Sequence, residues 1–175
     1  MSGRSLLYGF GALLYRLLLA LGFGGTVMFI LFAPVLFSVL PDAVDQGRHL
    51  AGVIVNKTLI FVQLWGMGGG TLLAALGFGL YWRRDSTWQR WARIGAAALV
   101  VILSAVSMFY VADAMNALRA DMGIIDLVAA SDPRRLAFNQ LHRVSSTVHL
   151  AILMANVFLL ALPLPGGRDE GPHPS

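Results

Sequence analysis

Residues 132–162 read DPRRLAFNQLHRVSSTVHLAILMANVFLLAL, and this stretch decides the fold. Asp132 can accept hydrogen bonds from the free N–H groups of a helical first turn. Pro133 fits the position after it, where the backbone N–H has no helical partner in any case. Val144–Leu162 is 19 residues without Lys, Arg, Asp or Glu. At a rise of about 1.5 Å per residue, that length crosses a hydrocarbon core of roughly 30 Å. The stretch therefore predicts a membrane-spanning helix.

The same stretch carries a polar stripe. Arg135, His142, His149 and Asn156 recur every seven residues, which is two helical turns, so they share one face. Ser145 lies on or beside that face. Polar groups running into a span are costly unless they face protein or water. The stripe therefore points into a bundle.

The rest of the chain agrees. It has 175 residues, of which 57% are hydrophobic and 13% charged, about half the charge of an average soluble domain. Four long apolar runs occupy about 17–40, 56–82, 94–113 and 142–162. The expected fold is all-α: an integral membrane four-helix bundle over residues 1–165, followed by a disordered polar tail at 166–175. A short amphipathic helix is expected at the interface between the third and fourth spans, within ALRADMGIIDLVAA. The first run is too long for the core of a signal peptide and lacks a small-x-small cleavage site.

Several local features refine this picture. Gly24 and Gly25 in the first span, and Gly66 and Gly70 at GxxxG spacing in the second, would allow close helix packing. Pro34 is expected to kink the first span. The chain from Arg83 to Arg93 reads as a short Arg-rich loop. It is the clearest orientation signal and favours both termini in the cytoplasm of a bacterial-type inner membrane. The full tally is nearly even, with seven cationic side chains on the side of the termini and six on the other.

A second heptad, His49, Asn56 and Gln63, lies on the second helix. Facing the stripe on the last helix, it would form a polar seam. Counting depth from the span ends places His49, Asn56, Gln63, Asp113, Asn116, His142, Ser145 and His149 toward the outer half of one bundle, with Asn156 deeper.

The chemistry open to such a cluster is limited. No cysteine is present, so thiolate chemistry is excluded. His142 and His149 stand roughly 10 Å apart along a helix axis and cannot share one metal ion. Haem would need a second axial ligand, and His49 lies too far out. No nucleophile elbow accompanies Ser145. The reading therefore expects no cofactor and leans away from an enzyme. It also expects no nucleic-acid partner; the partners are the lipid bilayer and either further copies of the chain or a larger membrane complex. The function expected is small-solute or metal transport, or stress resistance. A haem-bearing redox subunit and a non-catalytic scaffold are the alternatives.

The pattern Phe138-x-x-Leu141-His142-x-x-Ser145 resembles the signature of the transmembrane protein 205-like family. Gly24, Gly25 and Phe29, followed by Ala33-Pro34-x-Leu36-Phe37, are similar to that family's first span, and Gly47 or Gly52 fits its next stretch. The resemblance implies a small four-span membrane protein and supplies no activity, substrate or cofactor. The family commonly has Asn where this chain has His149, so the resemblance gives His149 no family role.

Overall fold

The computed structural model describes residues 3–81 and 86–162. The chain forms α1 (Gly3–Ala43), α2 (Gly47–Tyr81), α3 (Thr87–Val106), a π-helical turn (Ser107–Ala112), α4 (Asp113–Met122), a 3-10 turn (Ile125–Leu127) and α5 (Pro133–Ala161). α3, the π turn and α4 run on as one rod, so four long helices alternate up and down. Each is long and apolar enough to cross a membrane. α1 packs on α2 and α5, and α3 packs on the same two.

Large apolar side chains cover the outside, among them Phe61, Phe109 and Leu150. In water such a surface would be an aggregation hazard. In a bilayer it is the solvent-matched face.

The helices run longer than the apolar stretches. α1 begins near the start of the chain and continues through Pro34 and Pro41. α3 starts at Thr87, so Trp88, Arg90, Trp91 and Arg93 belong to a helix and not to the expected loop. The reason is a cap: Gln89 Oε1 accepts from the Ser86 N–H at 3.3 Å and from the Ser86 hydroxyl at 3.0 Å. Trp82, Arg83, Arg84 and the tail at 166–175 lie outside the described residues.

The separate interfacial helix is also corrected. Ala117–Met122 are the last turns of the third rod, and only the short 3-10 turn intervenes before α5. Ala114, Met115, Ala117, Leu118 and Ala120 are good helix formers. The first breaker is Gly123, at φ +67°.

Two turns set the end of the bundle away from the start of α1 and the end of α5, called the outer end for short. Between α1 and α2, Gln46 takes φ +58°. At Gly47 a Cβ would stand 2.0 Å from the Leu40 carbonyl oxygen, so glycine is required there. At the start of α5, Asp132 accepts from the Arg134 N–H at 2.8 Å. The Arg134 guanidinium pairs with Asp132 at 2.8 Å and with Asp121 of α4 at 3.3 Å. Arg135 donates to the Val128 carbonyl oxygen, which pins the connection to the helix.

The larger apolar cluster among the described residues lies toward the end that carries the start of α1 and the end of α5. There Tyr15, Leu18, Leu19, Leu73, Ala97, Leu159 and Leu162 form one apolar cluster. Above it the seam turns polar.

Candidate functional site

Two cavities lie along the bundle, each lined by all four rods. The central one, about 360 Å³, is bounded by Gly22 and Thr26 of α1, Gln63, Trp65 and Gly66 of α2, Ser104 of α3, and His149 and Asn156 of α5. The outer one, about 570 Å³, is bounded by Phe29 and Phe37 of α1, Asn56 of α2, Arg119 of α4, and His142, Ser145, Ser146 and His149 of α5. Both volumes fall in the range of small-molecule sites. His149 lines both cavities.

Two hydrogen bonds beside the central cavity each leave one polar atom over. The His149 Nδ1–H donates to the Ser145 carbonyl oxygen at 2.7 Å. That bond holds the proton on Nδ1 and leaves Nε2 a lone pair. Nε2 is buried and has no partner. The Gln63 amide N–H donates to Ser107 Oγ at 2.7 Å, and Gln63 Oε1 is buried without a partner. Ser104 Oγ is likewise buried and unpaired. The three residues are 3%, 1% and 1% exposed, so bulk water does not satisfy them. Buried polar atoms are nearly always paired. All three residues line the central cavity, which makes it the candidate site.

The remaining polar wall is Asn156 and Trp65. Asn156 donates to the Ile152 carbonyl oxygen at 2.9 Å. A Cβ at Gly22 would lie 3.4 Å from Asn156 Oδ1 and 3.6 Å from the Trp65 indole nitrogen. Gly22 therefore keeps the space between these two groups open. No charged side chain lines this cavity. It offers acceptors at Gln63, His149 and Asn156, a hydroxyl at Ser104 and an indole N–H at Trp65.

The sequence-selected residues divide between the cavities. Gln63, His149 and Asn156 come together in the centre, and Asn56, His142, Ser145 and His149 in the outer cavity. His49, Asp113 and Asn116 line neither. Gly66 and Gly70 face α3: a Cβ at Gly66 would stand 2.1 Å from Ser104 Oγ, and one at Gly70 2.9 Å from a Val101 methyl. Gly24 and Gly25 have open space where a Cβ would be. Among the described residues no group of three or more His, Cys, Asp or Glu converges to hold a metal ion.

Sequence reasoning missed Ser104, Ser107, Trp65 and Arg119. The two serines carry a readable signal, since they are three residues apart on one face of an otherwise apolar span.

Four lipid-compatible rods around a polar centre define a multi-pass integral membrane protein. Residues 17–123 match the family described as domain of unknown function DUF4149. The match takes in most of α1, all of α2 and the whole third rod, which is more than half of the chain. The chain belongs to that family. No curated protein and no solved structure matches it.

Proposed function

We propose that this protein binds small uncharged hydrogen-bond donors in its central cavity, and that their transfer across the bilayer starts from this site. The reading rests on three residues that line the cavity and each hold a buried, unpaired polar atom: Gln63 Oε1, Ser104 Oγ and His149 Nε2, which a guest would reach by a small side-chain shift. Two lone pairs and one hydroxyl suit a neutral molecule with two or more N–H or O–H groups. With no cation among its walls, the cavity offers little to an anion. With no carboxylate, it offers little to a metal ion. The apolar cluster around Tyr15 and Leu159 closes the path toward the termini, so transfer requires that cluster to part.

The resemblance to the transmembrane protein 205-like family belongs to this proposal. Its motif, Phe138 to Ser145, lies on α5, beyond the matched residues. So do the placement in a bacterial-type inner membrane, the cytoplasmic termini and the assembly into a homo-oligomer. The Arg-rich segment at the start of α3 supports the orientation, and the open face of Gly24 supports close approach of a second copy.

The test is stopped-flow light scattering of proteoliposomes challenged with urea or glycerol. The expected result is permeability above that of protein-free vesicles, falling to their level in His149→Leu and Gln63→Leu. Equal permeability in wild type and both variants would overturn the proposal.

A further inference from the structure

We infer that the outer cavity holds an anionic lipid from the surrounding bilayer, with its headgroup oxygens on Arg119. Arg119 lines this cavity and is only partly exposed. Among the described residues it has no acidic partner. Its guanidinium stands over the Phe138 ring, 5.4 Å from the centroid. A Cβ at Gly52 would lie 3.5 Å from Arg119 Nη2, so the glycine gives this cation its place against α2. A half-buried guanidinium at the outer end of a membrane bundle is costly unless an anion joins it. Asn56, Asn139 and His142 line the same cavity and no carboxylate does, so its charge is positive.

The remaining wall suits a hydrocarbon chain. Phe29, Ala33, Leu59 and Met115 are apolar. The rim residues Ile30, Phe37 and Leu150 are exposed on the bundle's apolar outside. An acyl chain therefore enters from the bilayer. A cation with amide donors at one end and an apolar trough at the other selects an amphiphilic anion over a free one. The lipid assay uses no solute, so its outcome is distinguishable from that of the permeability test.

The experiment is native mass spectrometry of the full chain in non-ionic detergent. It is titrated with dioleoylphosphatidylglycerol, with dioleoylphosphatidylcholine, and with inorganic phosphate as a competitor. The expected result is phosphatidylglycerol bound about tenfold more tightly than phosphatidylcholine. The preference falls away in Arg119→Gln and is kept in part in Arg119→Lys. Inorganic phosphate at lipid concentrations does not compete. Ala33→Phe, which fills the trough away from the guanidinium, weakens both lipids. Equal binding of the two lipids would overturn the inference, as would a preference unchanged in Arg119→Gln. Competition by inorganic phosphate would mark a free-phosphate site instead. If Arg119→Gln does not fold, undiminished lipid binding by Ala33→Phe overturns the inference.

Discussion

Gln63 donates its side-chain N–H to Ser107 Oγ at 2.7 Å, joining α2 to the first residue of the π turn. Both residues are about 1% exposed. The bond uses the donor half of the amide and leaves the acceptor half without a partner, in a residue that lines the central cavity. A π turn adds a residue to a helical turn and often accompanies a functional site. Here it accompanies the point where the third rod meets the polar seam.

His149→Leu is expected to keep the fold and lose the function. An unpaired buried acceptor costs about 1–3 kcal/mol, and replacing it with an apolar side chain of similar size removes that cost. The unfolding midpoint in detergent, followed by tryptophan fluorescence, should hold or rise while solute permeability falls to the vesicle level. A large drop in the midpoint would show that the imidazole is structural.

Gly66→Ala tests the seam between α2 and α3. The new Cβ would meet Ser104 Oγ at 2.1 Å and Ser104 Cβ at 3.0 Å. Overpacking of this kind costs roughly 1–3 kcal/mol. Ser104→Gly in the same chain should recover much of the loss. Gly68→Ala, where nothing lies within 4 Å, should be neutral. Thermal unfolding of the three variants checks all of this.

Gly22 sets the size of the central cavity. Gly22→Leu would push a side chain between Asn156 Oδ1 and the Trp65 indole. Urea permeability should fall several-fold more than in Gly22→Ala, whose Cβ makes ordinary contacts. Flux measured beside circular dichroism separates a blocked cavity from a broken fold.

Acid should loosen the start of α5 through Asp132. Hydrogen bonds from the Arg134 side chain and backbone N–H hold its carboxyl at about 2, below the usual 3.8. A depressed carboxylate stabilises the fold above its unfolded pKa and loses that contribution as pH falls through its folded pKa. The window is therefore 3.8 down to about 2. An acid titration of helicity should show a step there in wild type that is absent in Asp132→Asn.

Much of this architecture was legible because a bilayer constrains sequence strongly. A span such as Val144–Leu162 has one reading, and seven-residue spacing put Gln63, His149 and Asn156 on inward faces without knowledge of the neighbouring helices. Helix ends were less legible. Charged residues mark where the hydrocarbon stops, whereas helices continue until a breaker such as Gly123, and Arg93 is buried one turn and a half inside α3. The serines were missed because hydroxyls in an apolar span usually bond their own helix, as Thr26 and Thr58 do. Ser104 and Ser107 matter through partners on α2, which spacing along one helix does not show. Arg119 was read as part of a short interfacial helix, because its position over Phe138 depends on how the third rod meets α5.

The most direct test of the central cavity is nitrogen-15 NMR of histidine-labelled protein in bilayers, with and without urea. The account predicts that His149 carries its proton on Nδ1, that the Nε2 lone pair has no partner in the resting protein, and that the Nε2 signal shifts when urea is added. The signal should vanish in His149→Leu. A proton on Nε2, or an Nε2 signal that urea does not move, would contradict the account.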